Sequence, residues 1–309
     1  MGLTMENSIY FIINPVAGNG RSLRVWKKMK EEMEKKNMEY RSFMTDYAGH
    51  AEVLARQIAS IHDYRLKTVI GIGGDGTIHE IVNGLSGFDH IQIGYVPSGS
   101  GNDFMKGYGR SKGKSSILTR LNRQAKSYDL GCCRAGKADR LFVNSIGAGF
   151  DAYVAKLSNE MQWKKVLNRA GAGSFVYTLA LMKGLFTYQP GPLSVTIDGE
   201  EKVFEKVWFA AVSNHPFYGG GMKISPDARP DDGLLNVTVV HGLSRGKLLL
   251  LFGLVFAGRH KGLKEVCMME GHEITISGPV SVMVHADGEY LGETPVTVTL
   301  RPKSIKYYI

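Results

Sequence analysis

The chain has 309 residues, of which 43% are hydrophobic and 22% charged, and it carries a formal net charge of +9. That length accommodates two ordinary domains, each with its own core, and the composition excludes a disordered or fibrous chain. The basic balance suits phosphate-bearing partners without choosing among nucleotides, nucleic acid and anionic lipid heads.

In chain order, residues 8–14 (SIYFIIN) read as a buried strand. A tight turn follows, and then a helix over 22–36, where Lys27, Lys28, Lys30, Lys35 and Lys36 read as a solvated face. Residues 40–45 predict a strand, 51–61 a helix, 68–72 a buried strand, 77–85 a helix and 91–96 a fourth strand. This β-α-β-α-β-α-β order indicates a parallel sheet with helices on both faces. Such sheets place ligands at the carboxyl ends of their strands. After about Asp129 the pattern changes. Strands are expected over 141–146, 193–197, 207–213, 235–240, 273–277, 281–286 and 296–300, with helical stretches near 173–186 and 246–259. Alternating Val282, Val284 and Ala286 suit an antiparallel sheet with one buried face.

Cys132, Cys133 and Cys267 show no zinc spacing, and adjacent cysteines do not easily bridge, so a reducing cytoplasm fits best. The N-terminus lacks the basic region and the long apolar run of a signal peptide. Spanning a bilayer takes ~20 apolar residues. The longest apolar run, 248–257, is interrupted by Gly253.

Three glycine loops follow strands of the first half. The strongest is Gly71-Ile72-Gly73-Gly74-Asp75-Gly76-Thr77, between a strand and a helix. Glycines let backbone N–H groups crowd around phosphate oxygens, and the helix N-terminus adds favourable partial charge. Gly71, Gly73 and Gly76 also satisfy a dinucleotide fingerprint, but that pattern belongs after a first strand, and here it follows the third. A carboxylate beside phosphates is repulsive unless a cation lies between, so Asp75 points to a magnesium-nucleotide or a catalytic role. The second loop runs Pro97-Ser98-Gly99-Ser100-Gly101-Asn102-Asp103-Phe104, and the third is Asn14-Pro15-Val16-Ala17-Gly18. Each alone is a weak signal; at one edge of one sheet they could cradle one nucleotide. Gly113-Lys114-Ser115 lacks the first glycine and the preceding strand of a P-loop and reads as a basic surface loop.

These motifs resemble the diacylglycerol kinase catalytic domain, most closely the soluble bacterial lipid kinases and, beyond them, the sphingosine kinases. The resemblance continues through Asp129-Leu130-Gly131, Gly219-Gly220-Gly221-Met222, Asp232-Gly233-x-Leu235 and Asp287-Gly288-Glu289, so it covers nearly the whole chain. It implies an α/β nucleotide domain over 1–130, to which 301–309 returns, and an antiparallel β-sandwich lipid domain over 131–300, with the active site between them. It also implies ATP and Mg²⁺ as cofactors, a lipid substrate at a membrane surface, peripheral attachment of a cytoplasmic protein, and a homodimer.

By the same resemblance, Thr45 and Gly73 to Thr77 contact ATP, with Asn14, Pro15, Gly18 and Asn102 in the flanking loops. Ser100 lies beside the phosphates, at a position where the family usually has threonine. Asp75, Asp103 and Asp129 match positions that hold the catalytic magnesium. Arg229 and Leu234 carbonyls with the Asp232 carboxylate match a structural metal site, although Asp231-Asp232-Gly233 also reads as a plain turn. Glu289 matches the general base, although Asp-Gly is equally a hairpin signal. The apolar stretches 175–186 and 248–257 could line an acyl-chain pocket, dip into a membrane interface, or simply fill the core. Trp163 beside Lys164 and Lys165 could sit at a membrane surface. Two alternatives stay open: a kinase of a soluble substrate such as NAD, and a non-catalytic lipid- or nucleotide-binding regulator. No recognised nucleic-acid motif or aromatic platform accompanies the charge, so nucleic acid is not expected as a partner.

Overall fold

The computed structural model describes residues 7–61, 66–88, 90–99, 101–108, 117–121, 123–135, 138–160 and 173–308. Ser100, the loop with Gly113, Lys114 and Ser115, and Trp163 with Lys164 and Lys165 lie outside the described residues, as do the side chains of Phe175 and Val176. The chain divides into two compact units, Met1–Asp129 with Pro302–Ile309, and Leu130–Arg301.

The first unit is built on parallel strands β1 (Asn7–Ile13), β2 (Arg41–Met44), β3 (Leu66–Gly73) and β4 (Gln92–Pro97). Their order is β2-β1-β3-β4, and Lys306 and Tyr307 of the last strand extend it in parallel beside β4. Helices α1 (Arg21–Lys35), α2 (His50–Ala59) and α3 (Asp75–Gly84) are the crossovers that parallel pairing requires. Phe11, Ile13, Ile70 and Ile72 pack against Trp26, Met29 and Met33 of α1, which leaves the lysines of α1 exposed. Short α4 (Asp103–Gly107) follows β4, and α5 (Ile117–Arg120) comes next in the chain. Tyr307 packs edge-on against Phe104, and the Lys303 N–H donates to Asp129 Oδ1 at 2.7 Å, so the C-terminal residues close this unit.

The second unit is antiparallel. Its strands are β5 (Lys126–Ala135, which starts in the first unit), β6 (Ala138–Phe142), β7 (Ser145–Gly149), β8 (Gly191–Ile197) and β9 (Glu200–Ser213). They continue with β10 (Phe217–Tyr218), β11 (Met222–Lys223), β12 (Leu235–His241), β13 (Val266–Gly271) and β14 (Glu273–Ser277). The last are β15 (Met283–Ala286), β16 (Glu289–Glu293) and β17 (Val296–Tyr307, which ends in the first unit). Long β9 exchanges partners along its length, pairing with β8 through its first half and with β7 and β12 through its second. Val195, Val212, Val237, Ile274, Ile276 and Val298 fill the core between these strands. Helices α6 (Phe150–Glu160), α7 (Gly173–Thr187) and α8 (Arg245–Ala257) enclose a second apolar cluster built around Trp208 and Phe209.

The structure corrects the strand expected over 141–146. It breaks at Val143 and Asn144 into β6 and β7. The N–H groups of Val143, Asn144 and Ser145 turn onto the Asp287 carboxylate instead of a neighbouring strand. β5, α6, β13 and β16 are elements the sequence did not signal. In β5, Gly131 sits opposite Phe142, and a side chain there would collide with the phenyl ring. Asp287-Gly288 is the two-residue turn of a tight hairpin, as the Asp-Gly signal suggested, and Glu289 pairs with Ala286 as the first residue of β16.

Candidate functional site

The order β2-β1-β3-β4 reverses direction between β1 and β3, the place where open α/β sheets form a crevice at their carboxyl ends. The three glycine loops leave β1, β3 and β4 at that edge. The Asn14 N–H donates to the Ile72 carbonyl at 2.9 Å, and Asn14 Nδ2 to Thr77 Oγ1 at 3.2 Å. Ser98 and Gly99 N–H groups both donate to the Gly73 carbonyl, at 2.7 and 3.2 Å, and the buried Tyr95 hydroxyl donates there too at 2.9 Å. Burial, with Asp75 nearby, pushes the Tyr95 phenol well above its usual range, so it stays a donor.

Glycine is required at two of these contacts. Gly18 has φ +58°, and a Cβ on it would overlap the Ser98 carbonyl oxygen. A Cβ on Gly99 would stand 2.8 Å from the Gly74 Cα. The loops are therefore braced against one another. Ser98 Oγ and Asn102 Oδ1 are buried there with no hydrogen-bond partner among the described residues. Thr45 is buried at the end of β2, its N–H donating to the Ile13 carbonyl at 2.9 Å.

Asp75 occupies the first turn of α3, where the Thr77 N–H donates back to the Gly74 carbonyl at 2.9 Å and the helix start carries favourable partial charge for anions. Its Oδ1 accepts the Phe104 N–H at 3.2 Å, which ties the second loop to the first. Asp103 is buried beside Lys106 Nζ at 3.1 Å, and Asp129 is buried and accepts Lys303 N–H. Among the described residues, no group of three or more His, Cys, Asp or Glu side chains is arranged to hold a metal ion. In the second unit, Asp232 Oδ1 accepts the Leu234 N–H at 3.1 Å in a turn through Gly233 at φ +80°, with Arg229 just upstream.

The turn that carries Glu289 is fixed from two sides. Asp287, at φ +49°, accepts three backbone N–H groups, from Val143 at 2.9 Å, Asn144 at 2.9 Å and Ser145 at 3.1 Å. On the other side the Gly288 N–H donates to His285 Nδ1 at 3.2 Å. Glu289 itself is exposed. Nearby, His215 is wholly buried against Asn144 Oδ1 at 2.7 Å, and burial lowers its pKa to about 4.

Sequence reasoning missed Asp151, Tyr218 and His285. They come from α6, β10 and β15, so no local spacing announces them. Asp151 and Tyr218 stand in the wall of a narrow cavity of about 30 Å³, otherwise lined by apolar residues such as Phe150, Leu181, Phe209 and Leu251. Leu248, Leu251 and Val255 of α8 face inward. The outer faces of α7 and α8 are also apolar: Phe186 is 65% exposed, Leu250 73% and Phe256 54%. Both helices thus have a core-facing side, and each also presents apolar side chains to solvent. Among the described residues no helix is long and apolar enough to cross a membrane.

Comparisons with known proteins agree along the chain. A model of the diacylglycerol kinase catalytic domain matches residues 8–133. A second model, of the YegS C-terminal NAD kinase beta sandwich-like domain, matches residues 144–309. YtlR of Bacillus subtilis, provisionally named a lipid kinase, is 40% identical over 304 residues, covering 96% of this chain and 98% of its own. A diacylglycerol kinase of Mycobacterium tuberculosis is 27% identical over 301 residues, 96% of this chain and 93% of its own. A Bacillus anthracis crystal structure, provisionally named a diacylglycerol kinase, superposes with a TM-score of 0.76 at 22% identity, over 99% of this chain and 98% of that one.

Proposed function

Because this chain belongs to the diacylglycerol kinase family of lipid kinases, we propose that it transfers the γ-phosphoryl group of ATP to a hydroxyl of a diacylglycerol-like lipid. The observation that carries the reading is the bracing of three glycine loops at the carboxyl edge of β1, β3 and β4. Phosphoryl transfer asks a protein mainly for positioning and charge neutralisation. Gly73 to Thr77, Asn14 to Gly18 and Asn102 receive the nucleotide phosphates, where backbone N–H groups and the α3 N-terminus favour negative charge. Ser98 Oγ and Asn102 Oδ1, buried and unpartnered among the described residues, are polar groups suited to a bound ligand or its water.

Mg²⁺ takes one or two protein carboxylates together with substrate phosphates and waters, so a three-carboxylate cage is not required. Asp75, through the carboxylate oxygen that does not accept the Phe104 N–H, would be the first such ligand, with Asp103 and Asp129 as the further carboxylates that would hold the ion. The ion would supply neutralisation of charge on the transferring group. Asp232 with the Arg229 and Leu234 carbonyls offers oxygen ligands for a separate structural ion. Glu289 accepts the proton of the attacking hydroxyl; an exposed carboxylate on a turn held from both sides suits a general base.

The cavity between α6, α7 and α8 supports a lipid acceptor. Its volume is about one water's worth, so an acyl chain would have to widen it to enter. Their exposed leucines and phenylalanines would lie at the membrane interface during turnover, with the basic net charge attracting anionic lipid.

Incubation with γ-labelled ATP, Mg²⁺ and vesicles of a mixed lipid extract tests the reading. A labelled, chloroform-soluble product is expected. Labelling of NAD but of no lipid would replace it with a kinase of a soluble substrate, and no labelled product at all would indicate a regulator.

A further inference from the structure

We propose that His285 is a positioning residue for phosphoryl transfer, holding the Glu289 turn in place as a neutral imidazole with its proton on Nε2. The functional half of this proposal rests on the lipid kinase reading; the hydrogen bond and the tautomer do not.

The geometry selects the tautomer. The Gly288 N–H donates to His285 Nδ1 at 3.2 Å, so Nδ1 must carry a lone pair. The proton then sits on Nε2, which faces Asp151 Oδ2 at 3.2 Å. Asp151 is itself fixed, for Oδ1 accepts the Ala152 N–H at 2.8 Å and Oδ2 accepts the Tyr218 hydroxyl at 3.3 Å. The Tyr218 ring lies nearly parallel to the imidazole, 9° off and 5.7 Å away between centroids. The Tyr218 hydroxyl also lies 3.5 Å from Nε2, but its own proton goes to Asp151 Oδ2, and at 1% exposure His285 has little room to turn.

Gly147 makes the approach possible. It is the register partner of His285 on β7, and a Cβ there would stand 2.6 Å from His285 Nε2 and overlap Asp151 Oδ2. Nothing in β7's own strand geometry demands glycine at this position, because Gly147 does not have a positive φ. The space for the imidazole–carboxylate pair is what excludes a side chain. Asp287 fixes one end of the turn through 143–145, and His285 holds the Asp287–Gly288 peptide, one peptide unit before Glu289. Because Asp151 and Tyr218 also line the apolar cavity, the cavity wall and the Glu289 turn share one hydrogen-bonded support.

Two amide substitutions separate positioning from packing. In His285→Asn the amide oxygen can take the place of Nδ1, which keeps the acceptor for Gly288. In His285→Gln the amide reaches toward the Nε2 position, which keeps Asp151 satisfied and abandons Gly288. A small misplacement of a catalytic group costs up to about 100-fold. We therefore expect His285→Gln to lower kcat about 30-fold, with KM for lipid and ATP within about 2-fold, and His285→Asn to keep at least about a third of kcat. Equal losses in both variants, or an unaffected Gln variant, would overturn the positioning role.

A second measurement needs no turnover. Spectra of the wild-type protein labelled with ¹⁵N-histidine are expected to show His285 as the Nε2–H tautomer at neutral pH. A proton on Nδ1 would overturn the proposal. Should no lipid be phosphorylated by the wild type, the kinase reading fails while the tautomer result still decides the hydrogen bond.

Discussion

The glycine loops of the first unit and the Glu289 turn of the second solve the same problem, holding chain in place at a sheet or hairpin edge, with different chemistry. The loops brace one another through backbone: Gly18 against the Ser98 carbonyl, Gly99 against Gly74, and Ser98 and Gly99 N–H groups on the Gly73 carbonyl. The turn is held by side chains, with Asp287 gathering three N–H groups and His285 taking a fourth. Backbone bracing sets the glycine loops beside the N-terminus of α3, which suits a polyanion. Side-chain anchoring leaves a carboxylate projecting from a fixed peptide, which suits proton transfer. Substitutions in the two regions should therefore fail differently: loop changes should act on nucleotide binding, and turn changes on kcat or on folding.

The largest expected effect tests the turn's chemistry. Glu289→Gln should lower kcat about 100-fold or more while leaving thermal stability unchanged, since proton transfer by a placed base contributes typically 10²–10⁴-fold. Steady-state kinetics beside a melting curve checks both halves. Next comes the turn's anchor. Asp287→Ala strands three N–H groups at once and should cost about 3 kcal/mol or more in urea denaturation. A loss below about 1 kcal/mol would mean that the hairpin holds without it.

Acid should weaken the same region. His215, with a pKa lowered to about 4 by burial, is neutral in the folded protein, whereas the unfolded chain takes up its proton near 6.5. Between those values the unfolded state binds more protons, so stability falls as pH drops from about 6.5 toward 4, by up to about 3 kcal/mol. Urea midpoints at pH 7.5 and 4.5 should show this slope, and His215→Asn should flatten it. In the first unit, Gly18→Ala forces a side chain into a left-handed position against Ser98. It should cost about 1 to 2 kcal/mol and raise KM for ATP more than it lowers kcat. A pure kcat loss would contradict the division between the two regions. The smallest effect on folding belongs to the exposed face of α8. Leu250→Glu should change stability by less than about 0.5 kcal/mol but reduce the fraction sedimenting with anionic vesicles.

The same contrast explains what could be read from the sequence. The parallel sheet was legible because its strands are short apolar runs separated by helical patterns, and its loops because glycine itself carries their chemistry. Asp75 was legible because it stands inside such a loop. The antiparallel sandwich was legible as a class but not in detail. The break at Val143 and Asn144 is imposed by Asp287, more than 140 residues away, and Gly131 serves the ring of Phe142 on the next strand. Asp151, Tyr218 and His285 were invisible because three separate elements bring them together. The apolar stretch 248–257 left open whether it was core or surface, and the structure gives it both roles: Leu251 and Val255 are buried, whereas Leu250 and Phe256 are exposed.

The central claim is that a nucleotide site built on glycine loops and a base on an anchored turn act in one transfer. The most direct measurement follows γ-labelled phosphate from ATP into lipid with wild type, Asp75→Ala and Glu289→Gln side by side, each confirmed folded. The account predicts a labelled lipid with wild type and a loss of about 100-fold or more with each variant. Labelled lipid from Glu289→Gln at the wild-type rate would contradict it.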